Sequence, residues 1–236
     1  LNSRTNTAEA IRIIRTNLEF LLKDVQEGVA KTIFVTSSFP KEGKTFVSVN
    51  LASTIALSDK KVLLVGLDIR NPKIDNYLQV PTVGLTNYLS SNKYNSIDEL
   101  IVKIDNYSNF YVLPAGIIPP NPAELLMDKK VGKLFEELRT KFDYVIVDTA
   151  PVSLVTDTLI IGHLADAFVY VTRANYLDKR MLKLPQQLYN ESKLPNMSIL
   201  INDTNSQKGS GHGYGYVDGY GIEVEKKSWW KEMLLL

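Results

Sequence analysis

The stretch Ser37-Ser-Phe-Pro-Lys-Glu-Gly-Lys-Thr45 decides the fold of this 236-residue chain. An apolar run, Thr32–Thr36, precedes it and a helical pattern, Phe46–Leu57, follows it, so a strand passes into a helix through this loop. Backbone N–H groups at such a junction face an anion, and the helix dipole favours negative charge there. The spacing is that of G-x-x-x-x-G-K-[ST], except that Ser38 stands at the first glycine. The stretch therefore predicts a phosphate-binding loop, a variant of the P-loop.

The residues of this loop have separate expected roles. Gly43 lets the backbone approach a phosphate closely, Lys44 reaches the β- and γ-phosphates, and the Thr45 hydroxyl ligates Mg²⁺. Gly-Lys-Thr alone would fit an ordinary helix N-terminus equally well, but its place between a strand and a helix favours nucleotide binding. The loop residues expected to bind the nucleotide are Pro40, Glu42, Gly43, Lys44, Thr45 and Phe46.

Short apolar runs alternate with helical stretches along the rest of the chain. The runs are continuous, as in strands buried on both faces of a parallel sheet. They predict an α/β fold, P-loop NTPase-like and doubly wound, with a mostly parallel sheet and helices on both faces. The expected strands are Thr32–Thr36, Val62–Val65, Tyr111–Leu113, Tyr144–Val147, Ala167–Val171 and Ser198–Ile201. Helices are expected to begin near Thr45, Ile97, Pro122 and Asp178, with Pro185 kinking or splitting the last of them.

Two segments flank this core. The first is an amphipathic helix with Asn6 as its N-cap and Glu9 three residues later. Its expected apolar stripe is Ile11, Ile14, Leu18, Leu21 and Leu22. The last segment, residues 205–236, is too rich in glycine and too poor in core residues to fold alone. We therefore expect one domain over residues 1–204, which includes the N-terminal helix, and a flexible Gly/Tyr-rich tail over residues 205–236.

Composition narrows the classes of partner and compartment. The formal charge of +1, from 27 basic and 26 acidic residues, gives no large field toward nucleic acid, so no nucleic-acid partner is expected. The chain has no cysteine, which removes disulfides and fits a reducing compartment. No apolar run approaches the roughly 20 residues that cross a bilayer. We expect this fragment to be soluble and, since it begins with Leu1 rather than Met, to be cut from a longer polypeptide.

Two acidic strand ends strengthen the prediction of a nucleotide site. The run Tyr144–Asp148 ends in a carboxylate, as do the strands that hold Mg²⁺ from the far side of the nucleotide in P-loop enzymes. Asp148 is therefore the candidate second ligand of the metal, although an aspartate in a turn or at an N-cap is the alternative. Asp68 and Arg70 lie just beyond another strand, at the edge of a parallel sheet where ligands bind.

These motifs together resemble a family. They are Ser38-x-Pro40-x-Glu42-Gly43-Lys44-Thr45, Leu67-Asp68-Ile69-Arg70, Val145-Ile-Val-Asp148-Thr-Ala-Pro151 and Pro119-Pro-Asn-Pro-Ala-Glu-Leu-Leu126. They are similar to the bacterial tyrosine kinases of capsule and exopolysaccharide export, over roughly Glu9 to Asn202. The resemblance implies that the chain is an enzyme, with Mg-ATP as cofactor and phosphoryl transfer to tyrosine as its reaction.

The resemblance also assigns roles at both ends of the chain. Glu9, Arg12 and Arg15 are similar to the family's subunit-contact motif, which builds a ring of identical subunits. A solvated charged face with an i,i+3 ion pair is the other explanation of this spacing. The tail tyrosines expected to accept phosphate from a neighbouring subunit are Tyr214, Tyr216 and Tyr220. A glycine-rich linker that happens to carry tyrosines is the alternative there.

The expected mechanism uses three catalytic residues, Lys44, Asp68 and Asp148, with Mg²⁺ held by Thr45, Asp148 and Asp68. Asp68 would orient or deprotonate the incoming tyrosine. Arg70 would support the strand end at Asp68 or bind the phosphates, and Asn202 resembles an adenine-contacting position in related ATPases. The family strand generally ends in two aspartates separated by one residue, and the first of them is here Gly66. Asp68 is left as the one obvious acid on that strand.

Partners and rival functions follow from the same resemblance. The family works with a membrane-bound polysaccharide co-polymerase, fused to it or acting as its activator, at the cytoplasmic face of the bacterial inner membrane. It regulates polymer synthesis and export, and a cognate phosphotyrosine phosphatase is a further expected partner. One rival is a partition or septum-positioning ATPase, which usually has an additional lysine where this chain has Phe39. Another is a non-catalytic ATP-binding regulator of export, which Gly66 makes harder to dismiss.

Overall fold

The computed structural model describes residues 6–204, which are arranged around a seven-stranded sheet. The strand order is β3-β4-β2-β5-β1-β6-β7, and every pair of neighbours is parallel except β3 and β4. In chain order the elements are α1 (Asn6–Leu21), β1 (Lys31–Ser37), α2 (Lys44–Ala56), β2 (Val62–Gly66), α3 (Leu85–Ser90), β3 (Val102–Lys103), β4 (Phe110–Leu113), α4 (Pro122–Leu126), α5 (Lys129–Lys141), β5 (Tyr144–Asp148), α6 (Asp157–Ile160), β6 (Ala167–Arg173), α7 (Lys183–Asn190) and β7 (Met197–Asn202).

The central strands are largely apolar because helices cover both faces of the sheet. On one face Ile33 of β1 packs in a cluster with residues of α1 and α2, such as Leu18 and Leu51. On the other face the neighbouring residue Phe34 packs with α5, where its ring centroid lies 5.7 Å from that of Phe135. Successive side chains of a strand point to opposite faces, so each of these strands needs apolar residues on both faces. The predicted doubly wound α/β fold is confirmed.

The predicted strands agree with the observed ones to within two residues, but several helices differ. The helix expected near Ile97 is a single 3₁₀ turn, Ile97–Leu100. Ser96 and Glu99 cap its start, and the chain then becomes extended into β3. The helix expected near Pro122 ends at Leu126, and a separate helix, α5, begins after Asp128. The sequence patterns did not identify α3, α5, α6 or the two-residue strand β3.

The segment around Pro185 is divided in two, as predicted. Asp178 caps a 3₁₀ helix at Lys179–Leu182, and α7 then runs over Lys183–Asn190 with Pro185 in its first turn. Proline is tolerated at this place because the N–H groups of a helix's first turn have no partner within the helix.

The N-terminal helix lies on α2, and its apolar stripe is narrower than expected. Leu18 and Leu22 are buried against α2 and the sheet, and Ile11 is buried as well. Leu21 is 40% exposed, so its assignment to the stripe was wrong. It directly precedes Leu22, and adjacent residues of a helix do not face the same neighbour. Within residues 6–204, no helix has both the length and the apolarity to cross a bilayer.

Candidate active site

The phosphate-binding loop lies between β1 and α2, at the edge where the parallel strands end. Helix α2 begins at Lys44, and Gly43 at its N-cap has a φ of 97°. This left-handed conformation is costly for residues with a side chain. A Cβ on Gly43 would also clash with Nδ2 of Asn202. Two constraints, backbone conformation and space, therefore require glycine at this position.

Asn202, at the end of β7, contacts the loop itself. Its Nδ2 donates a hydrogen bond to the carbonyl oxygen of Glu42 at 3.0 Å. This contact places the expected adenine-contacting residue against the side of the loop, next to Gly43.

Lys44 and Asp68 form a buried ion pair. The Nζ of Lys44 lies 2.9 Å from Oδ2 of Asp68, and their side chains are only 10% and 7% exposed. The other oxygen of Asp68 accepts a hydrogen bond from the backbone N–H of Asn71 at 3.1 Å. The backbone N–H groups of Leu67 and Asp68 both donate to the carbonyl oxygen of Asp148. The end of β2 is thereby fixed beside β5, and it brings Asp68 to the loop lysine; the catalytic role of Asp68 remains a prediction.

Asp148 at the end of β5 accepts hydrogen bonds from two residues of α2. The Thr45 hydroxyl donates to Oδ2 at 2.7 Å, and the Ser48 hydroxyl donates to Oδ1 at 3.3 Å. Burial raises the pKa of Asp148 from its usual 3.8 to about 6, opposed by the positive charge of Lys44 and the bond from Thr45. Sequence reasoning missed Ser48, although it lies three residues after Thr45 and hence on the same face of α2.

The carboxylate of Glu42 is folded beneath its own loop. Its Oε2 accepts a hydrogen bond from the N–H of Phe39 at 2.6 Å, and its Oε1 accepts one from the N–H of Arg173 at 3.4 Å. Burial raises the pKa of this carboxyl, and the backbone bonds oppose the rise. The Glu42 side chain is therefore held by its own loop and by β6, and Glu42 remains a prediction as a nucleotide contact.

Two other expected nucleotide contacts lie at the rim of the loop. Pro40 is exposed, and its carbonyl oxygen accepts a hydrogen bond from the Tyr176 hydroxyl at 3.2 Å. Phe46 is half-buried, with its ring centroid 6.5 Å from that of Tyr77. Both residues remain predictions as nucleotide contacts.

Arg70 is held by Asp157 rather than by the loop. Its Nε and Nη2 lie 2.7 Å and 2.9 Å from the two carboxylate oxygens of Asp157, which is buried. The pair raises the pKa of the guanidinium. Both expected roles of Arg70, support of the strand end at Asp68 and binding of the phosphates, remain predictions. Asp157 was missed, because nothing in a sequence links a residue to one 87 positions away.

A cavity of about 380 Å³ opens beside these groups at the ends of β2 and β4. Gly66, Asp68 and Asp148 contribute to its lining, and much of the remaining wall is apolar. That wall includes Ile74, Val80, Pro81, Ala115, Ile117 and Ile118. A Cβ on Gly66 would lie 2.9 Å from the backbone nitrogen of Ala115. An aspartate at position 66 therefore requires a shift of that backbone.

The donor set fits a magnesium nucleotide better than a metal held by protein alone. No cluster of three or more His, Cys, Asp or Glu side chains suited to a metal occurs in the part of the chain that the structure describes. Mg²⁺ commonly takes one or two carboxylates and completes its shell with water and substrate phosphates. Thr45 and Asp148 offer adjacent oxygens, and Lys44 supplies the positive charge.

Comparison with known proteins identifies the family. A family model described as AAA domain matches residues 30–180. Tyrosine-protein kinase CpsD of Streptococcus agalactiae is 32% identical over 229 residues, covering 96% of this chain and 95% of that protein. Tyrosine-protein kinase YwqD of Bacillus subtilis is 36% identical, covering 88% of this chain and 85% of that protein. This chain belongs to the bacterial tyrosine-protein kinases.

Solved structures agree with this tyrosine-kinase membership. The kinase domain of the Escherichia coli tyrosine kinase ETK has a TM-score of 0.79 and 30% identity, covering 93% of this chain and 83% of that one. Solved partition and septum-site proteins have TM-scores of 0.55–0.59 at 20–22% identity, a likeness of fold alone. The resemblance stated from the sequence is confirmed, as is the enzyme class, and the rival ATPase function is no better supported.

The remaining site predictions of this tyrosine kinase concern its two ends. Glu9 and Arg12 form an ion pair of 2.9 Å on α1, with both side chains about two-fifths exposed, and Arg15 lies 3.9 Å from Glu19. The i,i+3 pair is thus present, and the subunit-contact role remains a prediction. Tyr214, Tyr216 and Tyr220 lie outside the described residues, as does the tail that contains them.

Substitution of the loop glycine separates conformational strain from crowding. Gly28→Ala should lower the free energy of unfolding by about 1 kcal/mol, because Gly28 has a φ of 80° but no atom within 4 Å of the added Cβ. Gly43→Ala should cost about 1 kcal/mol more, since Asn202 must give up its bond to Glu42. Urea unfolding measures both. In an Asn202→Ala background the extra cost should disappear, and its persistence would contradict the proposed crowding.

The raised pKa of Asp148 predicts a pH dependence of stability. Between pH 4 and 6 the Asp148 carboxyl stays protonated in the folded protein but is ionised in the unfolded chain. The stabilisation that comes from this proton is therefore present at low pH and disappears as pH rises through about 6. The loss amounts to about 3 kcal/mol. In EDTA, the Asp148→Asn variant should therefore gain stability relative to the wild type as pH rises from 4 to 7. Parallel curves for the two proteins would refute the shift.

Proposed function

We propose that this tyrosine kinase is an ATP-dependent autokinase that phosphorylates the C-terminal tyrosines of a neighbouring subunit. The observation that carries the proposal is the convergence of Lys44, Thr45, Asp68 and Asp148 in one buried network at the start of α2. A lysine, a hydroxyl and two carboxylates at a phosphate-binding loop are the groups that phosphoryl transfer requires.

The roles of these residues follow from their positions. The amides at the start of α2 and Lys44 bind the phosphates and neutralise charge on the β- and γ-phosphates. Thr45 and Asp148 would hold Mg²⁺, with Asp68 as a further acid on the metal side. When bound, the ion would supply positive charge to the phosphates.

Asp68 faces both the nucleotide site and the cavity. The tyrosine oxygen attacks the γ-phosphorus, the bond to the oxygen bridging the β- and γ-phosphates breaks, and ADP leaves. The proton of the phenol passes to Asp68, which also orients the hydroxyl. The largely apolar wall of the cavity suits an aromatic ring. Because Gly66 provides no second carboxylate, Asp68 carries this role alone on its strand.

Tail tyrosines are suitable acceptors on chemical grounds. Tyr214 and Tyr220 have a glycine on both sides, and Tyr216 follows Gly215, so there is little bulk beside these rings to hinder entry into the cavity. Transfer between subunits brings in Glu9, Arg12 and Arg15, whose charged side chains on α1 are available to a second copy in a ring.

The proposal also includes the cellular location and the partners of the kinase. We place the kinase at the cytoplasmic face of the bacterial inner membrane, with a membrane-bound polysaccharide co-polymerase as its fused or activating partner. Phosphorylation of the tail would regulate polymerisation and export of capsule or exopolysaccharide, and a phosphotyrosine phosphatase would reverse it.

Incubation with Mg-ATP tests the kinase activity. The wild type should gain phosphotyrosine at Tyr214, Tyr216 or Tyr220, detected by mass spectrometry, and Lys44→Met should gain none because the charge on the phosphates is no longer neutralised. Lys103→Met, at an exposed lysine of β3, is the matched control and should behave as the wild type.

The same variants reveal whether transfer occurs between subunits. A chain with all three tail tyrosines changed to Phe should phosphorylate the tail of the Lys44→Met chain. A wild type that binds ATP without forming phosphotyrosine would support the non-catalytic export regulator instead.

Sedimentation velocity tests the assembly. Replacement of Glu9, Arg12 and Arg15 by Ala should leave monomers, because the charges offered to a neighbouring subunit are lost. Lys23→Ala combined with Glu27→Ala, two exposed positions just after α1, should keep the wild-type distribution. An oligomer that survives the triple substitution would remove α1 charges from the interface.

A further inference from the structure

Three side chains from the β6–β7 region hold three consecutive carbonyl groups of the phosphate-binding loop. The hydroxyl of Tyr176 donates to the carbonyl oxygen of Pro40 at 3.2 Å. Nη1 of Arg173 donates to that of Lys41 at 3.3 Å, and Nδ2 of Asn202 to that of Glu42 at 3.0 Å. These donors belong to a different part of the chain from the loop, more than 130 residues away.

The direction of the carbonyls sets the direction of the amides. The described residues contain no cis peptide bond, and the C=O and N–H of a trans peptide point in opposite directions. With the oxygens of Pro40 and Lys41 drawn to Tyr176 and Arg173, the N–H groups of Lys41 and Glu42 point away from these donors. Successive amides directed to one side form a concave site for an anion.

The loop needs such support because its backbone is strained. Lys41 has a φ of 69°, in the left-handed region that residues with a Cβ rarely adopt. The two peptide groups on either side of Lys41 are the ones that Tyr176 and Arg173 hold. A strained conformation persists where the surrounding contacts determine it more than once.

Arg173 and Tyr176 also position each other. The guanidinium of Arg173 lies 5.5 Å from the centre of the Tyr176 ring, and its Nε lies 3.0 Å from Oδ2 of Asp203. The backbone N–H of Arg173 faces the buried carboxylate of Glu42. The end of β6 is therefore joined to the loop through backbone and side chain together.

We propose that Arg173 and Tyr176 are positioning residues that keep the phosphate-binding amides preorganised by holding the carbonyl groups of Lys41 and Pro40. The inference rests on the proposed function, since it concerns how the loop binds the phosphates of the nucleotide. Amides that contact the phosphates throughout the reaction bind substrate and transition state alike, so their disorder raises KM for ATP and leaves kcat nearly unchanged.

The test compares ADP with inorganic pyrophosphate, which lacks the base and the sugar. Tyr176→Phe and Arg173→Met each remove the hydrogen bonds of one side chain while keeping most of its bulk. Each should weaken binding of both probes by about three- to tenfold, measured by displacement of a fluorescent ADP analogue. Matched controls are Tyr189→Phe on α7 and Arg180→Met, whose guanidinium pairs with Asp178. Both controls should bind as the wild type does.

Each outcome decides between explanations. A wild type that binds neither probe would refute the proposed nucleotide site itself. A wild type that binds ADP but no pyrophosphate would overturn only the inference, since a preorganised site holds the anion without the base. The inference also fails if the variants weaken ADP alone, which would indicate contacts to the base.

Thermal unfolding without nucleotide and steady-state kinetics complete the test. The variants should melt within about 2 °C of the wild type, because Tyr176 is exposed and Arg173 is only partly buried, and kcat should change by less than about twofold. A fall in melting temperature with unchanged affinity for both probes would mean that Arg173 and Tyr176 stabilise the fold and do not position the loop.

Discussion

The left-handed turn at Gly43 is the constraint on which the rest of the site depends. It lets α2 begin immediately after the loop, so that the free N–H groups of the first helical turn and the positive end of the helix dipole meet at one place. The buried parallel sheet fixes that place, because β1 ends beside β5 and β2 ends on the other side of β5. Lys44 and Thr45 then reach Asp68 and Asp148 without any long or flexible connection.

Charge balance explains why such polar groups tolerate burial. Lys44, Asp68 and Asp148 are all buried, and each carboxylate has hydrogen bonds from at least two donors. A buried charge without a partner is strongly destabilising, whereas paired and hydrogen-bonded charges approximately offset their desolvation. Asp148 keeps part of the desolvation cost, which appears as its raised pKa. Burial of Asp148 thus lowers the stability of the fold at neutral pH, at a residue expected to take part in the reaction.

Much of the fold and part of the site could be predicted from the sequence because their signals are local. Strands buried on both faces give continuous apolar runs, and the loop spacing identifies Gly43, Lys44 and Thr45 directly. Asp68 and Asp148 follow, since polar residues at the ends of parallel strands meet at one edge of a sheet. The partners Asp157, Arg173 and Tyr176 could not be found in this way, because their positions depend on how distant loops pack. Short elements such as β3 also give no periodic signal.

Gly66 has an evolutionary consequence that concerns more than one position. The backbone of Ala115 lies so close that an acidic side chain at this position of β2 cannot be introduced without displacing the turn after β4. Homologues that have an aspartate there should therefore differ at the turn as well, and the two sites should vary in concert across an alignment. A single change of Gly66 to aspartate would meet a steric barrier, so the two positions are expected to change together.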